Sequence, residues 1–335
     1  MRTIVDPAQA VGEVLREDQV LQGEPARAWA VGAARRWECG APPEAVLFPE
    51  SAEEVQAVVR AAIDSGVRLF PVGNGRWPGA GGWGREADAV VSTARMDGVV
   101  HYEPADLTLT AGAGLGMRAL GELADRSGQW LPIDAPGCGD GTLGAAVACG
   151  VSGPLQGRYG RVRDNVLGLE VVTGDGRILR IGGRVVKNVA GYDMVRLFTG
   201  SRGSLGVITR VSVRLFPRPG ADVTLCFRGE VADVVRMARA VCTAAFPVAA
   251  VEVFDDGVVI LAVRLLGGAE EVEEARARAV ASVGREPDEA LAGGDSAAFH
   301  EGRTRWEDGS PVVARLAALP DRLGDVMACA GRVAG

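Results

Sequence analysis

Residues 181–206 read IGGRVVKNVAGYDMVRLFTGSRGSLG and run straight into VITRVSVRLFPRP at 207–219. The second piece alternates apolar and polar residues as a strand does, and Pro217 and Pro219 close it. The first piece puts Gly191, Gly200, Gly203 and Gly206 where other residues would offer packing. Glycines at that density mark either tight turns or backbone that must come close to a ligand.

Upstream, VLGLEVVTGDGRILRIGG at 166–183 predicts a hairpin turning at Gly-Asp-Gly. At 42–75, Ser51 followed by Glu54 is a capping box, and Val55, Val58, Val59 and Ala62 fall on one helical face. Gly66 ends that helix, and VRLFPV leads as a strand into PVGNGRWPGAGG at 71–82. A glycine run after a strand lets successive N–H groups turn inward as a phosphate nest, or it is an ordinary surface loop. Further strands are expected at AVVST, GVVHYE and LTLTAGAG, and a helix at GMRALGELADRSG. Residues 1–41, with Trp29 and Trp37, read as a helical preamble.

Beyond residues 218–222 the composition changes. ADVTLCFRG, AAVEVFDDGVVILAVRLL and VVARLAALP read as strands among Ala/Glu/Arg-rich helices such as AEEVEEARARAVASV, which is α+β material.

Composition narrows the chemistry. The 335 residues suggest about two domains. A net charge of -7 argues against nucleic acid or an anionic membrane as partner. No run approaches the roughly 18 apolar residues that span a bilayer, so the chain is expected in the cytoplasm, reaching a membrane only through partner subunits. Six widely spaced cysteines exclude a zinc or iron–sulfur spacing, and two histidines, His101 and His300, leave little for triads or metal sites. No Gly-Lys pair exists for a P-loop, and Met117 occupies the third glycine position of a dinucleotide fingerprint at Gly112 and Gly114. A bound organic cofactor is the economical carrier of any reaction.

The ordered succession PEAVLFPESAEEVQAVV, PVGNGRWPGAGG, GTLGAAVACGVSGP, VRDNVLGLEVVTGDGRIL and GGRVVKNVAGYDMVRLFTGSRGSLGVITRVSVRLFPRP resembles the FAD-binding domain of the vanillyl-alcohol oxidase / p-cresol methylhydroxylase superfamily. The last segment is most similar to the branch of glycolate-oxidase E subunits. The resemblance implies an α+β fold: an extension at 1–41, a two-lobed FAD-binding PCMH-type domain at 42–219 (lobes 42–98 and 99–219), and a shortened α+β cap domain at 220–335. It implies that Gly73, Asn74, Gly75, Arg76 and Trp77 wrap the FAD pyrophosphate. Pro136, Gly137, Thr142, Gly144, Ala145, Gly150, Ser152 and Gly153 would line the flavin, with Val207 and Ile208 against the adenine or flavin edge. Arg76 stands where covalently flavinylated members carry His, so the FAD is expected to be noncovalent, and Cys138 to be a loop thiol. Relatives end with a segment returning to the flavin that is absent from CAGRVAG, hence the expectation of a short cap.

The implied reaction is oxidation of a 2-hydroxy acid such as glycolate. The chain would be an FAD subunit partnered by a second FAD subunit and an iron–sulfur subunit. A self-sufficient 2-hydroxy-acid dehydrogenase and a cofactor-free structural subunit are the alternatives. Candidate catalytic groups are Lys187 and Tyr192, beside Asp193 and Arg196, and His300 and Arg303 in FHEGRTRW. Asp193 could instead cap the helix MVRLF, and FHEGRTRW could be a solvated charged turn.

Overall fold

The helix Ala52–Ser65 organises the first half of the molecule. Ser51 caps it by accepting the Glu54 N–H at 3.1 Å, and Gly66 stops it with φ 68°. The capping box is only half formed, because the Glu54 carboxylate accepts the Glu50 N–H (2.7 Å) and the Gln19 amide (2.8 Å) instead. Val55, Val58 and Val59 are buried. Each contributes about 1.5–3 kcal/mol, so together they outweigh a cap worth about 1 kcal/mol.

The computed structural model describes residues 14–34, 42–75, 87–183, 192–255, 257–303, 322 and 324–327. Two compact units emerge: residues up to 133 with 138–152 and 160–217, and residues 134–137 with 153–159 and those from 218 onward.

In the first unit, β1 (Val20–Gln22), α1 (Glu24–Ala34), β2 (Ala45–Leu47), α2 (Ala52–Ser65), β3 (Leu69–Val72) and β4 (Ala89–Ser92) build a sheet of order β1-β2-β4-β3. Residues 14–34, expected as a helical preamble, thus also supply a strand, β1, antiparallel to β2. Strand alternation sends Val46 and Val90 to a cluster with Ala26 and Trp29 of α1, and Ala45, Leu47, Ala89 and Val91 to Val58 of α2.

A second sheet, antiparallel and of order β5-β6-β10-β8-β9, follows. It uses β5 (Val99–Glu103), β6 (Thr108–Gly112), β8 (Val166–Thr173), β9 (Ile178–Gly182) and β10 (Gly206–Arg214). Between β6 and β8 come α3 (Met117–Asp125), β7 (Gln129–Trp130) and α4 (Leu143–Cys149). α5 (Met194–Phe198) precedes β10, and β11 (Phe216–Pro217) pairs with β7. The β8–β9 hairpin turns through residues 174–177, with Thr173 and Arg177 joined by backbone at 2.9 Å. Val55 and Val59 pack on Val172 of β8 and Val207 of β10, so α2 fastens both sheets of this unit.

In the second unit, β12 (Ala221–Gly229), β13 (Ala250–Asp255), β14 (Val259–Gly267) and β15 (Glu289–Ala292) form an antiparallel sheet of order β13-β14-β12-β15. α6 (Val231–Thr243) and α7 (Ala269–Val283) bury Val234, Met237, Val241, Val272 and Ala279 against Leu225, Phe227, Leu261, Val263 and Leu265. The register pairs Thr224 with Arg264, so the alternate residues face the other way, toward α8 (Gly294–Arg303). The expected strand at 312–320 lies outside the described residues.

Candidate functional site

A cleft in the first unit is walled by three chain segments. The first is the turn after β3. Ser92 donates to the Gly73 carbonyl at 2.7 Å and the Asn74 amide donates to the Asp140 carbonyl at 2.7 Å, which pins the turn at both ends. Gly75 takes φ 79°. The backbone N–H groups of Gly73 and Gly75 have no acceptor among the described residues.

The second wall is α4, capped by Thr142 through its bond from the Ala145 N–H (3.3 Å). Gly144 lies so close to β6's exit that an added Cβ would come within 2.5 Å of the Ala113 Cβ. The third wall is the approach to β10, with Arg202, Gly203, Gly206, Val207 and Ile208 on the cleft. A Cβ on Gly203 would stand 2.5 Å from Pro71, so this wall touches the first through bare backbone.

Of the residues named from sequence, Gly73, Asn74, Gly75, Gly144, Ala145, Val207 and Ile208 line this cleft. Arg76, Trp77 and Lys187 lie outside the described residues. Thr142 acts as the α4 cap, and Ser152 accepts the Val162 N–H at 3.1 Å. Gly150 terminates α4 at φ 62°, and its Cβ position falls 2.8 Å from the Gly200 Cα. Its glycine is therefore explained by helix termination and a close approach to Gly200. Pro136, Gly137 and Gly153 group with the second unit, where a side chain on Gly153 would strike Asp134.

Sequence reasoning did not select Phe70, Thr93, Cys149 or Arg202, which also line the cleft. An arginine between Ser201 and Gly203 carries no local signal of that position. Burial pushes the Cys149 thiol up to about 11, partly offset by the Arg202 charge. Cys149 is a neutral thiol at physiological pH.

Among the described catalytic candidates, Tyr192 belongs to the first unit and His300 and Arg303 to the second. Tyr192 is 95% exposed. Asp193 caps α5 by accepting the Arg196 N–H at 3.1 Å and pairs with the Arg196 guanidinium at 2.9 Å. Arg303 is the last residue of α8.

FHEGR is helix, not a charged turn, and His300 within it is buried. It ends a chain of polar contacts on the sheet face opposite the second unit's core. Asp222 accepts two bonds from Arg264 (2.6 and 3.1 Å) and one from Ser296 (2.6 Å). With its hydrogen committed to that carboxylate, Ser296 must accept from Thr224 (2.6 Å), and Thr224 must accept from His300 Nε2 (2.9 Å). Nε2 therefore carries a proton, and one further proton lies between Nδ1 and the Glu252 carboxylate, 2.6 Å apart. Asp134 accepts the Leu155 N–H at 2.8 Å, and burial first, then the nearby Glu252 charge, raises its carboxyl above the ordinary range.

The cleft's small-residue walls, its unsatisfied N–H groups and, among the described residues, its one cationic side chain suit a flat ring system joined to a phosphate. Residues 43–182 match the family model described as an FAD binding domain. The chain is 39% identical over 180 residues to the glycolate oxidase subunit GlcE of Escherichia coli K12, covering 53% of this chain and 51% of that one. It is 35% identical over 219 residues to a probable mitochondrial D-lactate dehydrogenase of Danio rerio, covering 64% of this chain and 44% of that one. It thus spans about half, or less, of the length of these relatives. Among solved structures, an alkyldihydroxyacetonephosphate synthase superimposes with a TM-score of 0.74 at 18% identity, covering 90% of this chain and 65% of that one. That likeness shows the fold, an α+β PCMH-type FAD-binding fold. No helix among the described residues is long and apolar enough to cross a membrane, and none of their His, Cys, Asp and Glu side chains group as a metal site.

Proposed function

From residues 43–182, which belong to the FAD binding domain family, we propose that this chain is the FAD-binding subunit of an assembly that oxidises a small 2-hydroxy acid such as glycolate. The observation that carries the reading is the cleft between the Gly73–Gly75 turn, α4 and the start of β10. Bound FAD supplies the acceptor for a hydride from the substrate's C2.

This chain's own residues hold and orient the cofactor. The Gly73 and Gly75 N–H groups, which have no acceptor among the described residues, would donate to its phosphates. Gly144 and Ala145 leave room for a ring against α4, and Val207 and Ile208 exclude water from its edge. The cofactor is held noncovalently.

A subunit role, with the substrate site and the iron–sulfur relay on partners, is supported by the state of the described catalytic candidates. Tyr192 projects into solvent, and both His300 ring nitrogens are engaged by Thr224 and Glu252. The likeness to a glycolate oxidase subunit points the same way.

The test is spectroscopic. The purified chain supplied with FAD is expected to retain flavin through gel filtration and release it on acid precipitation. Anaerobic glycolate or D-lactate should bleach the flavin only after the partner subunits are added. A colourless protein would sink the reading, and bleaching of the isolated chain would replace the subunit role with a self-sufficient dehydrogenase.

A further inference from the structure

We propose that Arg202 is the cation that binds the FAD pyrophosphate in this cleft. The proposal rests on the FAD reading above and extends it to a residue outside the glycine motifs.

Among the described residues that line the cleft, Arg202 is the only one with a charged side chain. Apart from it the walls are glycine, small or apolar residues, Asn74, Thr93 and the neutral Cys149 thiol. Arg202 forms no ion pair with a carboxylate among the described residues; Arg60, Arg126, Arg161 and Arg239 share that state, but of these only Arg202 lines the cleft. In a chain of net charge -7, an unneutralised arginine lining the same cleft as two unsatisfied N–H groups makes a local site for a dianion.

The backbone supports the same assignment. Arg202 adopts φ 55°, a left-handed conformation that disfavours a residue with a Cβ. It is held there from both sides: its N–H donates to the Ala148 carbonyl at 2.8 Å, and the next residue, Gly203, abuts Pro71. Glycine would satisfy this backbone better, so what arginine adds is its side chain. Non-glycine residues in this region concentrate at ligand sites.

The test separates charge from fold. Arg202→Gly relaxes the backbone and removes the cation, and Arg202→Asn does the same while still tolerating the left-handed region. FAD and riboflavin, which lacks phosphate, are titrated into apo protein and followed by flavin fluorescence quenching, and apo melting is recorded alongside. Both variants are expected to bind FAD about 10- to 100-fold more weakly, as for loss of a charged hydrogen bond. Riboflavin affinity should be unchanged, and the apo melting temperature equal to or above wild type. FAD binding by either folded variant at wild-type affinity would overturn the assignment, as would an equal loss for FAD and riboflavin. A wild-type protein that binds no FAD would overturn the underlying cofactor reading instead.

Discussion

His300 Nδ1 lies 2.6 Å from the Glu252 carboxylate, with His300 anchored on its other nitrogen by Thr224. Both side chains are largely removed from solvent, with relative exposures of 7% and 12%. Breaking such a buried pair by removing one partner costs about 3–5 kcal/mol, because the other is left without its complement. Glu252→Gln and His300→Ala should each lower the urea stability by that order. The double variant should lose markedly less than the sum. Nitrogen-15 spectra of His300 should show Nε2 protonated in the wild type.

Asp134 gives a pH signature of the opposite kind from most carboxylates. Its folded pKa is raised above 3.8, so in the window between 3.8 and that higher value the native state binds more protons than the unfolded chain. Its contribution is fully present below pH 3.8 and is lost as pH rises through the folded value. Asp134→Asn keeps an acceptor for the Leu155 N–H and removes the charge. It should therefore raise stability at pH 7 relative to wild type, and the gain should vanish near pH 3. Denaturant titrations at the two pH values check this.

Gly73 faces the Thr142 hydroxyl so closely that a methyl group cannot fit between them. Gly73→Ala should destabilise by about 1–3 kcal/mol, as overpacking does, and should reduce FAD retention. Thr142→Ala alone removes the α4 cap, worth about 1 kcal/mol. Combined, the two should cost less than their sum, since the second removes the obstruction created by the first. Melting curves of the three variants decide it.

Cys149 should react slowly with iodoacetamide at pH 7. Its rate should rise about tenfold per pH unit toward about 11, and saturating FAD should protect it. Fast labelling at neutral pH, or labelling indifferent to FAD, would contradict its position on the cleft wall.

The fold was legible where one local rule acts alone. The Ser51 cap, the Gly66 stop and the valine stripe between them are properties of a single helix, and the Gly-Asp-Gly turn is a property of a single hairpin. The cleft was legible only in part, because its walls are joined by long-range approaches. Gly150 is explained by Gly200, and Gly203 by Pro71, partners far removed in sequence. A glycine demanded by another segment looks the same in sequence as one demanded by a ligand. Likewise His300, beside Glu301 and two arginines, looked solvent-bound. Its burial follows from Asp222, Thr224 and Glu252 on strands that no local pattern connects to α8.

The Gly203–Pro71 approach also sets a timetable. The turn at Gly73–Gly75 leaves the ribosome early, but the cleft opposite it needs β10, which inserts between β6 and β8 rather than adding at an edge. Until Ile208 has emerged, the hairpin β8–β9 lacks the central neighbour that would tie it to β6, and the cofactor has nowhere complete to bind. High contact order of this kind slows folding. A ligand of this cleft therefore meets all three walls only once β10 is in place.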